Sequence, residues 1–494
     1  MNALSALEAV QSVTDPHSFT PWGGEFATFA PLSPAYSTEL KSACQEAGTE
    51  ESVLIGYARI GGFPVGVLAW EFAFLGGSVG VGTAARVVAA VRRATDQGLP
   101  LVAMPRSGGT RMQEGAPAFV QMVAIAAALS EHRAAGLPYL VHLCGPTTGG
   151  VLATLGSAGD VTSAEPGAMV GFLGPRAFTA ITGQVFPDGI QTAENLLSRG
   201  IIDAVVSWER LPELWATILG LWATRPLASP VPDAEPGQRA RAPIPGAPDS
   251  VAQLWKYVEV SRRPDRVDSE QFLTEHLADM VVLPGTGQGD VAQGAVVALG
   301  RLSGIPVVVA ATTDRRTGEP LTVGGLRTVG RGIALAQLWG LPMVTIVDTL
   351  GAQLSAEGEQ AGIAGEISRL MLDLVAARIP TVALLLGAGT GGAALAMLAT
   401  DRIVAGSHTW VAPLAPEGAA AIRHGGTHDP AQIAWDQRIG AHALAELGFI
   451  DRVVRESDPG WVSMAADEVG ACLREVIAGV DPRRRCERFD AWAT

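Results

Sequence analysis

The sequence predicts an α/β protein with two tandem domains that arose by internal duplication. The chain resembles itself at a shift of 242 residues, and each half alternates apolar strand-like runs with alanine-rich helical runs. This alternation is typical of α/β folds, and a chain of 494 residues favours more than one domain. A proline-rich segment separates the two halves.

The repeat is carried by short motifs that keep one register. Gly62–Val65 recurs at Gly304–Val307, Gly98–Val102 at Gly340–Val344, Pro138 at Pro380, and Gly145 with Thr148–Gly150 at Gly387 with Thr390–Gly392. Further on, Gly200–Asp203 matches Gly448–Asp451 at an offset of 248, which implies a few inserted residues. This period is too long for a solenoid unit. We therefore expect residues 50–210 and 290–455 to superpose with the same strand order.

The secondary structure of the first half can be predicted in chain order. Pro100 precedes a strand at 101–104, residues 116–129 favour a helix, Pro138 precedes a strand at 139–144, and Val151 begins another helix. Arg225–Asp249 contains seven prolines and no apolar periodicity, so it indicates a linker. The expected domains are 1–225 and 250–494, with the linker at 226–249.

Composition excludes several classes of function. The net charge of −14 argues against a nucleic-acid partner. Lysine occurs only at Lys41 and Lys256, which makes Schiff-base chemistry improbable. Neither a P-loop nor a G-x-S-x-G nucleophile elbow is present.

The cysteines and the apolar segments indicate a metal-free cytoplasmic protein. Four cysteines at 44, 144, 472 and 486 show no C-x-x-C spacing, so no metal site is expected and a reducing compartment is the simplest setting. No signal peptide is visible. Residues 379–399 carry no charge and could span a bilayer, but four glycines interrupt them. We predict a buried strand, a glycine turn and a buried helix there, and no membrane partner.

The repeated glycines suggest a chemical role. A strand that ends in Gly-Gly and leads into a helix presents backbone N–H groups with no partner inside the helix, and the helix dipole adds positive potential. Such a turn can hold an enolate oxygen as an oxyanion hole. The other interpretation is that Gly-Gly only allows tight packing of strand on helix. A second glycine turn at Ser107–Arg111, with its counterpart at Thr349–Ala352, favours the functional interpretation.

The remaining polar candidates favour structural roles. Glu114 and Glu357 occupy similar places in the two halves, where capping or pairing with arginine is the simpler interpretation. His142 lies in an apolar run typical of a core histidine, and His424 and His428 flank a glycine turn that we expect at the surface. The run Arg483–Arg485 is typical of a solvated tail.

Several motifs resemble those of the carboxyltransferase components of biotin-dependent acyl-CoA carboxylases. Ser107–Gly115, Pro146–Gly150, Ala164–Gly167 and Gly171–Arg176 resemble the β subunit of bacterial acetyl-CoA carboxylase carboxyltransferase. Asp348–Ala352, Ala356–Gln360, Gly389–Ala393 and Pro416–Gly418 resemble the α subunit. The order, β-like then α-like in one chain, is similar to the single-chain subunits of actinobacterial enzymes.

This resemblance implies a fold and a reaction. Each half would have a crotonase-type fold, the first on the acyl-CoA side and the second on the biotin side. Carboxybiotin on a separate carrier protein would give its carboxyl group to the α-carbon of an acyl-CoA, with acetyl-CoA to malonyl-CoA as the default. Two oxyanions would develop, on the biotin ureido oxygen and on the thioester oxygen, so two holes are needed.

The resemblance also implies site residues. Backbone N–H groups at Gly149 and Gly150 would hold the thioester oxygen, and those at Gly392 and Ala393 the biotin oxygen, with Gly391 as the alternative one residue earlier. We expect further substrate contacts from the neighbouring turns, at Gly108, Gly109, Arg111, Gly351, Ala352 and Gly391. The two-chain β subunit usually carries a four-cysteine zinc ribbon at its start; here that region holds only Cys44, so no zinc is expected.

Partners and alternatives follow from the same family. The chain would work with a biotin carboxylase and biotin carboxyl carrier subunit. Its site would lie between the first half of one protomer and the second half of another, which implies a homodimer or a hexamer built from dimers. Two alternatives stay open: a biotin-independent malonyl-thioester decarboxylase of the same fold, and a non-catalytic subunit that assembles a carboxylase complex.

Overall fold

Two compact units form the protein. The first is Met1–Ala223 with Gly287–Gly289, and the second is Thr224–Thr286 with Asp290–Thr494. The structure, a computed structural model, describes residues 4–24, 26, 34–172, 179, 183–226, 246–424 and 429–479. Most of the predicted linker, together with His428 and Arg483–Arg485, lies outside the described residues.

The first unit contains a mixed seven-stranded sheet and a small two-stranded one. Its strands are β1 (Thr20–Pro21), β2 (Val53–Ile60), β3 (Phe63–Trp70), β4 (Leu101–Met104), β5 (Tyr139–Leu143), β6 (Thr147–Thr148), β7 (Val161–Ala164), β8 (Val170–Gly171) and β9 (Ala204–Val205). The large sheet has the order β1-β2-β3-β4-β5-β7-β9, and β6 pairs with β8. The strands are antiparallel up to β3 and parallel from β3 to β9.

The second unit contains an eight-stranded sheet. Its strands are β10 (Leu277–Leu283), β11 (Ala295–Leu302), β12 (Ile305–Thr312), β13 (Met343–Thr349), β14 (Thr381–Thr390), β15 (Arg402–Gly406), β16 (Trp410–Ala412) and β17 (Arg452–Val454). The order is β10-β11-β12-β13-β14-β15-β17, and β16 pairs with the end of β14.

The strand order is the same in the two large sheets, and the register also repeats. Gly66 pairs with Leu101 in the first unit, and Val308 pairs with Met343 in the second, each partner shifted by 242 residues. Each unit opens with a hairpin whose turn residues have positive φ: 57° and 83° at Gly61 and Gly62, and 79° at Gly304. Such φ values match the twist of paired strands. The predicted duplication is confirmed.

Helices connect the parallel strands. They are α1 (Ala6–Val13), α2 (Pro34–Ala47), α3 (Val81–Asp96), α4 (Gly115–Ala134), α5 (Gly149–Thr154), α6 (Ala193–Ser198), α7 (Leu211–Ala223), α8 (Val251–Ser261), α9 (Ser269–His276), α10 (Asp314–Thr317), α11 (Val323–Trp339), α12 (Ala356–Gln360), α13 (Ile363–Ala376), α14 (Gly391–Met397), α15 (Pro416–His424), α16 (Pro430–Asp436), α17 (Ala441–Glu446) and α18 (Trp461–Ile477). Because helices cover parallel sheets, strands such as β4 and β13 are buried at every position.

The predicted elements agree with the structure to within a few residues. The strand at 101–104 is confirmed, the strand at 139–144 ends one residue earlier, and the helix expected at 116–129 spans Gly115–Ala134. The charge-free segment 379–399 forms a buried strand, a glycine turn and a buried helix, as predicted. Its strand runs unbroken to Thr390, whereas the first unit splits the same stretch into β5 and β6.

Candidate active site

In the first unit, two glycine turns follow successive strands of the sheet. After β4, the Ser107 hydroxyl accepts a hydrogen bond of 3.0 Å from the Gly109 N–H, and Gly109 has a φ of 109°. The Gly108 N–H donates to the Gly76 carbonyl at 2.9 Å. The second turn leads from β6 into α5, where Gly149 has a φ of 62°. Both turns lie where parallel strands end, which is where α/β proteins bind ligands.

The start of α5 leaves backbone donors without a capping side chain. Thr148 is the N-cap, but its side chain makes no cap hydrogen bond. The Gly149 N–H donates to the Phe172 carbonyl at 2.9 Å, so it is already engaged. The N–H of Gly150 is the next along the helix, and the first N–H groups of any helix have no partner within it. Of the two donors predicted here, the Gly149 N–H is therefore already used within the protein.

The second unit repeats this geometry at the same offset. The Thr349 hydroxyl accepts a hydrogen bond of 3.0 Å from the Gly351 N–H, and Gly351 has a φ of 118°. Gly391 has a φ of 78° and begins α14. Thr390 caps this helix without a side-chain hydrogen bond, and its buried hydroxyl has no partner among the described residues. Structurally, Gly391 and Gly392 are thus the counterparts of Gly149 and Gly150.

The two turns of each unit are in direct contact. An ideal Cβ on Gly109 would lie 3.5 Å from the Thr148 carbonyl oxygen, and one on Gly351 would lie 3.5 Å from the Thr390 carbonyl oxygen. A Cβ at Gly150 would meet the Thr110 hydroxyl at 3.1 Å, and one at Gly392 would meet Ile367 Cγ2 at 3.2 Å. Glycine is favoured at Gly109 and Gly351 because φ is positive there, and at Gly150 and Gly392 because a Cβ would lie only 3.1 and 3.2 Å from its nearest neighbour.

Ala352 is held by the chain on its other side. It forms a parallel bridge with Leu321, and the Gln353 N–H donates to the Leu321 carbonyl at 2.9 Å. The residues predicted as substrate contacts in these turns form the turns themselves; they are Gly108, Gly109, Gly351 and Ala352. The N–H groups of Gly108, Gly109 and Gly351 donate hydrogen bonds within the protein.

Arg111 was expected to contact substrate, and the structure places it elsewhere. Its side chain is only 1% exposed, and its guanidinium lies 2.8 Å from Glu51 and 3.1 Å from Glu114. Burial opposes its positive charge, but the carboxylate of Glu51 outweighs that cost and raises the pKa of Arg111. The sequence could not show this pair, because Glu51 lies 60 residues away. Arg111 therefore supports the turn through its buried ion pairs with Glu51 and Glu114.

The structural interpretation of the other candidates agrees with their surroundings. Glu114 is buried and accepts hydrogen bonds of 2.6 Å from the Tyr36 hydroxyl and from the Val81 N–H. His142 is buried with Nδ1 2.9 Å from the Ser163 hydroxyl, and burial lowers its pKa to about 3. Glu357 lies on the exposed side of α12, and His424 ends α15.

Sequence reasoning missed a carboxylate that binds the second unit's turn. Asp314 accepts hydrogen bonds of 2.8 Å from the Thr349 hydroxyl and 3.0 Å from the Leu350 N–H. Burial raises the pKa of Asp314 to about 6. Asp348, with its pKa also raised by burial, accepts from the Ala388 N–H at 2.8 Å. No local motif identifies Asp314, because it follows β12 and acts on the end of β13.

Two observations concern metals and membranes. The described residues contain no group of three or more His, Cys, Asp or Glu side chains arranged to hold a metal ion. Cys44, Cys144 and Cys472 are free thiols. Met112–Ala134 is long and apolar enough to cross a membrane by length and composition, and a third of its most apolar window is buried. Met112, Phe119 and Val123 give this helix an exposed apolar face.

Comparison with known proteins places the chain in one family. The carboxyl transferase domain family matches residues 6–434. A probable biotin-dependent acyl-coenzyme A carboxylase beta3 subunit from Mycobacterium tuberculosis is 45% identical over 92% of this chain and 90% of its own length. The acetyl-coenzyme A carboxylase carboxyl transferase subunits beta/alpha of Salinispora arenicola are 33% identical over 99% of this chain and 91% of their own length.

Solved structures agree on the fold. The transcarboxylase 12S hexamer with methylmalonyl-coenzyme A bound matches 97% of this chain and 91% of its own with a TM-score of 0.75, at 19% identity. A single-chain, multi-domain long-chain acyl-CoA carboxylase matches 95% of this chain with a TM-score of 0.71, at 19% identity. The family match, the related sequences and the duplicated crotonase-like fold agree, and the chain belongs to the carboxyl transferase family as the carboxyltransferase of a biotin-dependent acyl-CoA carboxylase.

Proposed function

We propose that the chain moves the carboxyl group of carboxybiotin, presented by a separate carrier protein, to the α-carbon of an acyl-CoA, with acetyl-CoA as the first substrate to test. In this transfer the carboxyl C–N bond of carboxybiotin breaks, a C–C bond forms at the α-carbon, and the α-proton passes to biotin. Carboxybiotin supplies both the carboxyl group and the base. The protein's task is to stabilise two negative oxygens.

One observation carries the proposal: each unit places two touching glycine turns at the end of its parallel strands, with the same φ pattern at an offset of 242 residues. In the first unit, we assign the Gly150 N–H to the thioester oxygen, with Gly149 shaping the turn. In the second unit, we assign the N–H groups of Gly392 and Ala393 to the biotin oxygen, with Gly391 shaping the turn. One donor of this kind contributes about 3 kcal/mol to a transition state.

The biotin side fits these residues. Thr390 leaves the first N–H groups of α14 uncapped by a side chain, and its own buried hydroxyl has no partner among the described residues. An anionic oxygen at this helix start would supply the missing acceptor. Leu350, in the turn after β13, and Leu395, on α14, have exposed apolar side chains. These side chains would cover an uncharged ring system.

Assembly belongs to the proposal. The transcarboxylase 12S forms a hexamer, and we propose that this chain forms a homodimer or a hexamer built from three dimers in the cytoplasm. The exposed apolar residues of α4, Phe119, Val120 and Val123, would be covered by a second copy, because contiguous apolar surfaces of this kind mark contacts between proteins.

The experiment is co-purification with the biotinylated partner, followed by fixation of labelled bicarbonate over a series of acyl-CoAs. We expect label in the acyl-CoA product only when biotinylated partner is present. Loss of carboxylate from a malonyl thioester without biotin would instead identify a biotin-independent decarboxylase. If an active complex keeps its full rate when this chain carries both Gly150→Val and Gly392→Val, the chain is an assembly subunit.

A further inference from the structure

Asp314 connects two segments that are distant in sequence. It is 9% exposed and lies at the start of the short helix α10, directly after β12 and Thr313. Its Oδ2 accepts the Thr349 hydroxyl at 2.8 Å and the Leu350 N–H at 3.0 Å, both at the end of β13. One carboxylate oxygen therefore fixes a side chain and a backbone group of the glycine turn.

The contact reaches the candidate oxyanion site through one further bond. The Thr349 hydroxyl donates its single proton to Asp314 and accepts the Gly351 N–H at 3.0 Å. Gly351 in turn packs against Thr390, the residue before α14, with its ideal Cβ position 3.5 Å from the Thr390 carbonyl oxygen. Asp314 is thus linked through Thr349 and Gly351 to the residue that precedes α14.

Among the described residues of the first unit, no carboxylate stands at the position equivalent to Asp314. The residue 242 positions before Asp314 is Phe72, which is exposed. There the turn after β4 is held by a backbone acceptor, because the Gly108 N–H donates to the Gly76 carbonyl at 2.9 Å. A carbonyl oxygen does not titrate, whereas a carboxylate does. The N–H groups at equivalent positions, Gly108 and Leu350, therefore donate to a carbonyl oxygen in the first unit and to a carboxylate in the second.

The surroundings of Asp314 keep its proton affinity high. Burial raises its pKa to about 6, and the Asp348 carboxylate on β13 acts in the same direction. Arg315, on the same helix as Asp314, faces Asp348 at 3.7 Å. Arg266 and Glu456, which pair with each other at 2.9 Å, also act electrostatically on Asp348. The Oδ1 of Asp314 has no hydrogen-bond partner among the described residues.

We propose that Asp314 is a positioning residue for the second glycine site: its carboxylate holds the Thr349–Gly351 turn against the start of α14, and its protonation releases the turn and slows the half-reaction of carboxybiotin. The second part rests on the function proposed above. A neutral acceptor makes weaker hydrogen bonds than an ionised one, by roughly a factor of two, so protonation weakens both bonds to the turn.

The test compares Asp314→Asn with the unchanged protein across pH. The rate of decarboxylation of free carboxybiotin, corrected for the rate without protein, should fall about tenfold on acidification, with a midpoint near pH 6. In Asp314→Asn that midpoint should disappear, and the rate at neutral pH should already be lowered several-fold. The rate of carboxyl transfer to acyl-CoA, divided by the rate of this half-reaction, reports on the step assigned to the first unit. This ratio should show no midpoint near pH 6.

Asp401→Asn is the matched control. Asp401 is also 9% exposed, and its Oδ2 also accepts one backbone N–H and one hydroxyl, both from Thr381, at 2.8 and 2.9 Å. These bonds lie at the opposite end of β14 from Thr390. The control should leave the acid midpoint in place. An acid midpoint retained by Asp314→Asn would overturn the proposal.

A second measurement does not depend on the reaction. Hydrogen exchange of the segment 349–354, corrected for intrinsic rates, should speed up several-fold below the midpoint in the unchanged protein, and Asp314→Asn should show the fast behaviour at every pH. A hydrogen-exchange rate that changes neither with pH nor with this substitution would contradict the proposal. If exchange responds as expected while the protein has no carboxybiotin activity, the proposed function fails and the role of Asp314 in the turn stands.

Discussion

The backbones of Gly109 and Gly149 lie against each other, and each has a positive φ. An ideal Cβ on Gly109 would lie 3.7 Å from Cα of Gly149, and one on Gly149 would lie 3.5 Å from Cα of Gly109. The two residues belong to different strand ends, 40 positions apart in the chain. Their contact joins the two turns of the first unit into a single surface, so a side chain on either residue would lie in van der Waals contact with the other.

The first prediction isolates this contact from backbone strain. Gly149 has a φ of 62°, and Gly98 has a φ of 65° with nothing within 4 Å of its ideal Cβ. Alanine at either position costs about 1–2 kcal/mol of strain, so thermal unfolding should shift equally. Only Gly149→Ala should reduce carboxylation of acyl-CoA, by about tenfold or more, because its methyl group would occupy the surface that the two turns share, in van der Waals contact with Cα of Gly109. Equal activity of both variants would show that the contact does not matter.

The second prediction separates the two proposed oxyanion holes. Gly150→Val should abolish carboxylation of acyl-CoA and spare slow decarboxylation of free carboxybiotin, whereas Gly392→Val should impair both. Each loss should be about a hundredfold, the usual effect of losing one donor. Gly365→Val is the control, because Gly365 lies in helix α13 with open space around its ideal Cβ. If Gly150→Val and Gly392→Val keep the same residual activity in both half-reactions, the assignment of one hole to the thioester oxygen and the other to the biotin oxygen is wrong.

The third prediction concerns the stability contributed by Asp314. Burial raises the pKa of this group from 3.8 to about 6, so burying the charge costs more than its two hydrogen bonds to the turn return. The free energy of unfolding is therefore highest below pH 3.8, where the group is neutral in both states, and falls as pH rises through about 6. Above that pH the buried charge costs at most about 3 kcal/mol. Asp314→Asn should therefore unfold at a higher temperature than the unchanged protein at pH 8, with a difference that shrinks toward pH 4. A constant difference across this range would contradict the assignment.

The fourth prediction tests Arg111 as a structural side chain. Arg111→Met leaves Glu51 and Glu114 without their cation, and breaking a buried pair costs roughly 3–5 kcal/mol. The free energy of unfolding should fall by that amount, while the KM for acyl-CoA of the folded fraction stays within about twofold. Arg92→Met removes an exposed partner of Glu131 and should cost under about 1 kcal/mol. A large rise in the KM for acyl-CoA without a fall in the free energy of unfolding would support the prediction from the sequence that Arg111 contacts substrate.

The fifth prediction concerns metal. No zinc is expected in the purified chain, and dialysis against a chelator should leave the rate of carboxybiotin decarboxylation unchanged within about twofold. A protein that required a bound metal ion would lose its activity in this treatment. Metal analysis of the purified protein is the measurement. Stoichiometric zinc that disappears on changing Cys44→Ser would show that the prediction was wrong.

The sequence by itself determined the duplication, the alternation of strands and helices, and the two pairs of glycine turns. It could do so because these features depend on neighbours in the chain: a glycine turn, an apolar strand and a following helix are encoded within a few residues. The constant offset between Gly149–Gly150 and Gly391–Gly392 then indicated one fold used twice, and their motifs indicated the family.

Only the tertiary structure decided how each turn is supported. Arg111 meets Glu51 behind the first turn, the Gly149 N–H is taken by Phe172, and Asp314 binds Thr349. Each of these pairs joins segments that are distant in the chain and that the folded sheets bring together. Their charges and hydrogen bonds depend on burial and on distances between remote segments. The pattern of residues along the chain does not contain those quantities.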